Sequence, residues 1–247
     1  MKYFILVIIW ISYCALHSAL ITPKVTNFFK NILGESYRFY RVSYNIFALV
    51  SLIPVILYTN SIRQTPFFIW DGYLLPVRYL LLAVGILLFY AGVRQYDMST
   101  FLGIKQIRRT VNHNLINATG KLNSNGILGV VRHPFYIAIF PLLWATNLDV
   151  TILIVNSILS LYVIIGTILE EQKLIKEFGD EYREYQRKVS MLFPLKWIRN
   201  RIKTANNKIN PRIILTPFEQ AGFTAEVEWM DTPHGRLLFV IASKPAK

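Results

Sequence analysis

Runs of apolar residues about as long as a bilayer is thick constrain this chain more than any other feature. A helix needs about 20 residues to cross the hydrocarbon core. Such blocks run from Tyr3 to Ile21, from Ser43 to Tyr58 with Pro54 inside, from Tyr73 to Val93 and from Val150 to Leu169. A further stretch starts near Gly126, is interrupted by Arg132 and His133, and resumes as Pro134 to Leu148. Backbone groups in hydrocarbon must find partners within their own segment, so each block is expected to be helical. The first block has no A-x-A-like cleavage site and reads as a retained helix rather than a signal peptide. The expectation is an all-α integral membrane protein with about five transmembrane helices. Composition agrees: 53% of the 247 residues are hydrophobic and 17% charged, against about a quarter charged in soluble domains.

The formal net charge of +13 is distributed as a topology signal. Segment 22–42 carries Lys24, Lys30, Arg38 and Arg41 against Glu35, a net of +3. Segment 94–133 carries Arg94, Lys105, Arg108, Arg109, Lys121 and Arg132 against Asp97, a net of +5. Between them, segment 61–72 has only Arg63 and Asp71, and the turn at Asp149 has no base. Basic segments stay in the cytoplasm, so this alternation places the N-terminus outside and the C-terminus in the cytosol. The lipid bilayer is the expected partner. Nucleic acid is not, because no recognition motif accompanies the charge. Cys14, the single cysteine, rules out an intrachain disulfide or a cysteine-based metal site. The four scattered histidines offer no metal-ligand pattern, so no metal is expected.

The character of the chain changes after Glu170. Residues 170–188 mix six acids with five bases, yet Leu174, Phe178, Tyr182, Tyr185 and Val189 recur every three or four residues. That spacing is one apolar face of a cytoplasmic amphipathic helix lying along the membrane surface. Gly179 is expected to divide it, with Asp180 capping the second part. Met191 to Trp197 return to the interface. Residues 1–198 form the membrane domain, and residues 199–247 a polar cytoplasmic tail. Within that tail Ala205 to Asn210 read as a linker, and Thr224 to Met230 and Leu237 to Ser243 as a β-hairpin joined through Pro233 and Gly235.

Two features carry chemistry, and both fall at the cytoplasmic face. Arg132-His133-Pro134-Phe135-Tyr136 lies where the chain re-enters the bilayer. Proline suits the first helical position, and the N–H groups of that first turn are expected to be open to an anion. Glu170-Glu171 closes the fifth span. Two carboxylates against hydrocarbon are costly and often functional. Basic anchoring and a solvated helix end are the plain alternatives for each feature.

In order, R-H-P-F-Y, an apolar hairpin, E-E-Q-K-L-I-K-E-F-G-D-E-Y-R-E-Y-Q-R-K-V and Phe193-Pro194 resemble the catalytic region of the isoprenylcysteine carboxyl methyltransferase and phospholipid methyltransferase superfamily. The resemblance covers roughly residues 126–195. It implies S-adenosylmethionine as methyl donor. Arg132, His133, Pro134 and Tyr136 would line the donor site, with Glu170 and Glu171 across from them. Tyr182, Tyr185 and Arg187 would close the site or meet the acceptor. The family's glycine after the tyrosine is Ala138 here, small enough for close helix packing, and its V-P is Val189-Ser190. His17-Ser18, Tyr37-Arg38-x-x-Arg41-x-x-Tyr44-Asn45, Gln95-Tyr96-Asp97 and Phe101-Leu102-Gly103-x-x-Gln106 look like the methanethiol S-methyltransferase branch. This implies a small lipophilic or volatile thiol as acceptor and a bacterial inner membrane as location. His17 as a plain interhelical hydrogen bond, and Asp97 as a partner of Arg94, remain open beside it.

The tail, with Ala221-Gly222-Phe223, Glu226-Val227-Glu228 and Gly235-Arg236-Leu237-Leu238-Phe239-Val240, resembles the last strands of a soluble class I methyltransferase. That fold's glycine-rich donor loop is missing, so no catalysis is expected there. Two competing functions stand beside methyl transfer. One is a sterol-type membrane reductase using a nicotinamide donor, the other a non-catalytic membrane accessory protein of the denitrification type.

Overall fold

The computed structural model describes residues 1–95, 97–108, 124–207, 211–232 and 235–244. Tyr96, Arg109, Lys121 and Pro233, on which parts of the sequence reading rest, lie outside the described residues. The chain is a multi-pass α-helical membrane protein closed by a small antiparallel hairpin. The helices are α1 (Lys2–Leu20), α2 (Pro23–Leu33), α3 (Tyr40–Ser61), α4 (Leu75–Val93), α5 (Met98–Phe101), α6 (Ile104–Ile107), α7 (Pro134–Trp144), α8 (Val150–Phe178), α9 (Asp180–Lys188), α10 (Leu195–Asn207) and α11 (Pro211–Gln220). The strands β1 (Thr224–Thr232) and β2 (Gly235–Ser243) pair in antiparallel register, Thr224 opposite Ser243.

Four helical runs are long and apolar enough to cross a membrane: α1, Pro23–Ser61, Gly72–Val93 and α8. The fifth expected passage is α-helical only over Pro134–Trp144, 11 residues, or about 16 Å at the α-helical rise, after a single 3-10 turn at Gly126–Gly129. It still travels between the two ends of the bundle. Arg132 meets Glu171 near one end of α8, whereas Asp149 caps the other by accepting the Ile152 N–H at 3.0 Å. Segment 145–149 is held at that far end by backbone bonds between Phe68 and Leu148 and by Arg63 Nε–Asp149 Oδ2 at 2.9 Å. Proline fixes the start of α7.

Burial is concentrated where helices cross. Leu6, Trp10 and Cys14 of α1 recur every four residues on one buried face. Leu6 and Trp10 pack with Val55 of α3 and Val155 of α8, and Trp10 Nε1 donates to Thr59 Oγ1 at 3.0 Å. Large side chains such as Leu57, Leu80, Leu87, Leu161 and Ile165 remain on the outer surface, the pattern of helices whose solvent is lipid. α4 and α7 approach closely because α4 presents glycine: a Cβ at Gly85 would fall 2.7 Å from Leu142, and one at Gly92 would fall 3.2 Å from Phe135. Ala138, with no exposed surface, continues that small-residue seam.

Several local expectations change. α2, inside a segment read as a basic loop, is a helix with Pro23 in its first turn. Gly179 does end α8, at φ +58°, but Asp180 makes no capping bond and pairs with Arg183 at 3.4 Å. α10 extends to Asn207, so part of the expected linker is helical. The strands reach Thr232 and start again at Gly235, leaving a shorter connection than the sequence suggested.

Candidate functional site

The site assembles where the start of α7, the end of α8 and α9 meet. Leu174, Ile175 and Phe178 of α8 pack on Tyr182, Tyr185 and Val189, the apolar face expected from the spacing. Burying that face folds α9 back onto α8. The segment after α9 then runs beside the segment before α7: Arg132 N–H donates to Ser190 O at 2.9 Å and His133 N–H to Met191 O at 3.2 Å. Val131, Ile137 and Leu192 form the apolar floor beneath this pairing.

Glu171 stands at the centre, 8% exposed. Arg132 grips it in a two-pronged pair, Nε to Oε1 at 2.6 Å and Nη2 to Oε2 at 2.7 Å. His133 Nε2 lies 3.0 Å from Oε1, Tyr182 Oη donates to Oε1 at 3.1 Å and Gln186 Nε2 to Oε2 at 2.7 Å. Arg132 Nη1 donates to Gln186 O at 3.3 Å and to Val189 O. A buried ion pair of this kind is tolerated only when such extra hydrogen bonds satisfy both ions. Glu171, already the partner of a guanidinium, acts only as an acceptor. His133 therefore carries its proton on Nε2 when neutral, which leaves the Nδ1 lone pair available. Its ring stacks on Tyr136, centroids 5.5 Å apart.

Glu170 has a different environment. Its Oε2 is buried and without a hydrogen-bond partner among the described residues. The nearest cationic candidate is His133 Nδ1 at 3.9 Å, too far for a hydrogen bond. Successive helical residues point about 100° apart, so α8 turns one carboxylate into the brace and leaves the other outside it, beside His133 Nδ1.

The remaining expected site residues divide in the same way. Tyr182 and Tyr185 are buried, and Tyr185 Oη donates to Leu128 O at 2.6 Å. Burial, followed by the charge of Glu171, pushes the Tyr182 phenol far above its ordinary value. Burial pushes Tyr185 up to about 12. Neither phenol is positioned to release a proton near neutral pH. Pro134 occupies the first turn of α7. Arg187 is not brought to the cluster: it lies on the outer side of α9, paired with Glu184 at 3.3 Å. The first-turn donors expected to meet an anion are engaged too, since the Tyr136 and Ile137 N–H groups both return to His133 O at 3.1 Å. Gln186 was missed. It follows Tyr182 by four residues on the same helical face, which is the signal that could have found it.

The N-terminal motifs converge beside this cluster, at the same end of the bundle. His17 is bridged by Tyr44 Oη, 2.9 Å from Nε2, so an interhelical bond does account for it. Asp97 is not a partner of Arg94. It caps α5 through the Ser99 and Thr100 N–H groups and pairs with Lys105, whose hydrogen bond holds the carboxyl below the usual range. Tyr37, Arg38, Arg41, Tyr44 and Gln106 line a pocket of about 440 Å³, together with Lys173 of α8.

A multi-pass helical bundle with a braced Arg-His-Glu cluster at one end is thus the class that the fold and the site define. The profile of the NnrU protein family matches residues 5–197, and the chain belongs to that family. It is also similar to curated methanethiol S-methyltransferases. One from Pseudomonas deceptionensis is 42% identical over 66 residues, 26% of this chain and 25% of the relative. Another, from Bradyrhizobium diazoefficiens, is 41% identical over 71 residues, 28% and 24% of the two chains. A second protein from that organism is 26% identical over 135 residues, 54% and 51%. The chain thus spans about a quarter of the length of the more similar of these relatives. No solved structure matches significantly.

Proposed function

We propose that this chain is an S-adenosylmethionine-dependent membrane methyltransferase that methylates a small thiol to a thioether. The observation that carries the reading is Glu170: a carboxylate oxygen, buried and without a hydrogen-bond partner among the described residues, beside His133 and a fully braced Arg132–Glu171 pair. Such a group calls for a cation, because an unsatisfied buried charge is costly. A sulfonium donor bearing an amine supplies one. The similarity to proteins named methanethiol S-methyltransferase supports the same chemistry and the thiol acceptor.

S-adenosylmethionine, when bound, supplies an electrophilic methyl group on a sulfonium cation, which an acceptor thiolate takes in one displacement, leaving the donor a neutral thioether. Glu170 holds the cationic end of the donor. His133 receives the acceptor's thiol proton on Nδ1, while Glu171 fixes the ring through Nε2. Arg132, Tyr182 and Gln186 hold Glu171 in place and do not touch either substrate. Alignment and exclusion of water supply most of the acceleration, as expected for a displacement that needs only near-attack geometry. On this reading the site faces the cytosol of a bacterial cell, with the N-terminus outside, an orientation that the alternation of basic and neutral segments supports. The experiment is methyl transfer from labelled donor in detergent, offered small thiols, prenylcysteines, amines and lipids. Transfer to methanethiol above the others is expected, and transfer to none of them refutes the proposal.

A further inference from the structure

At the Arg132 cluster most of the donor capacity is already engaged: the guanidinium by Glu171 and two carbonyls, the first-turn N–H groups of Tyr136 and Ile137 by His133 O. A donor carrying a carboxylate needs cations elsewhere. The neighbouring pocket provides them. Arg38 and Arg41 stand at the start of α3, Lys173 on α8, and among the described residues no carboxylate lines the cavity. Its volume of about 440 Å³ falls within the range of small-molecule sites.

A second observation is independent of the charge. Gln106 is 4% exposed and lines the pocket. Its Nε2 donates to Thr100 O at 3.0 Å, but its Oε1 is buried without a partner among the described residues. Arg38 Nε is in the same condition. One face of the cavity therefore lacks an N–H or O–H donor and another lacks an anion. Tyr37 and Tyr44 contribute aromatic surface to the lining, which favours a cation. Lys173 and Glu170 are three residues apart and share a side of α8, offset by about 4.5 Å along the axis. That offset is comparable with the few bonds separating the carboxylate from the sulfonium sulfur in a methionine unit.

We propose that this pocket receives the amino-acid end of the methyl donor, its carboxylate on Arg38, Arg41 and Lys173 and its amine on Gln106 Oε1, while Glu170 meets the sulfonium. The proposal rests on the methyltransferase reading above. It gives the N-terminal motifs a role in donor recognition and makes the site a joint product of both halves of the chain.

The test is calorimetric titration of the full-length protein in detergent with S-adenosylmethionine and with its decarboxylated analogue, for wild type, Arg38→Gln and Lys173→Gln. Lys173 is exposed, so that variant is expected to fold even if Arg38→Gln does not. Each variant should weaken S-adenosylmethionine by about tenfold or more, the worth of a hydrogen bond to a charged group. Neither should change affinity for the decarboxylated analogue. Unchanged donor affinity in both variants, or equal weakening of both ligands, overturns the pocket assignment and leaves the methyltransferase reading standing. Competition by phosphatidylglycerol in wild type that is lost in both variants, with donor affinity unmoved, also overturns it by giving the cations to a lipid phosphate. Wild type that binds neither ligand refutes the underlying function.

Discussion

Replacing Glu171 with alanine removes the acceptor of five hydrogen bonds, two from Arg132 and one each from His133, Tyr182 and Gln186. What remains is a guanidinium 8% exposed whose other partners are two backbone carbonyls. Removing one partner of a buried ion pair costs about 3–5 kcal/mol, because the surviving charge is left uncompensated. Side-chain exposures of 7% and 10% leave little room for solvent screening to reduce that figure. The folded-to-unfolded ratio should fall by about two to three and a half orders of magnitude, and Tm by on the order of 10 °C. The assay is thermal unfolding in detergent followed by circular dichroism, with Glu170→Ala as the neighbouring control. The control should melt at or above the wild-type temperature, since Glu170 Oε2 makes no hydrogen bond among the described residues and its burial is costly. Equal Tm values for Glu171→Ala and wild type, or an equal loss in both variants, would refute the division of labour between the two carboxylates.

Glu170→Gln should weaken S-adenosylmethionine by about tenfold or more with Tm unchanged; full affinity in a folded variant removes Glu170 from the site. His133→Gln should slow methyl transfer by about a hundredfold, the lower range of general-base catalysis; a folded variant that turns over at the wild-type rate excludes that proton path. Reporters at Gln64 and after Trp197 should lie on opposite sides of the membrane, the second cytoplasmic; finding both on one side sinks the topology. Removal of residues 208–247 should leave donor affinity intact, because every proposed donor contact precedes them; its loss would make the tail part of the site.

The spans were legible because hydrocarbon thickness and backbone satisfaction leave few alternatives to a long apolar helix. The face from Leu174 to Val189 was legible for a similar reason: helical periodicity brings those positions together wherever the helix lies. The short helical part of α7 was not, since apolar composition from Pro134 to Leu148 does not reveal that helix ends at Trp144. α2 was hidden because its lysines matched a basic loop as well as an amphipathic helix. At the site, R-H-P and E-E are two motifs that the fold brings together, but their spacing in sequence did not reveal the pairings. Adjacent carboxylates read alike in sequence, and only the azimuth of α8 relative to Arg132 separates the brace from the open group. The partner of Asp97 was obscured similarly: Arg94 is nearer in sequence, but the turn through Gly103, at φ +90°, brings Lys105 to it instead.

The most direct measurement of the central claim is donor binding by the purified full-length protein, titrated in parallel with S-adenosylmethionine and with NADPH. Saturable binding of S-adenosylmethionine at one site, weakened by Glu170→Gln and absent for NADPH, is the expected result. Saturable NADPH binding with no heat from S-adenosylmethionine would contradict methyl transfer and favour a nicotinamide-dependent reductase.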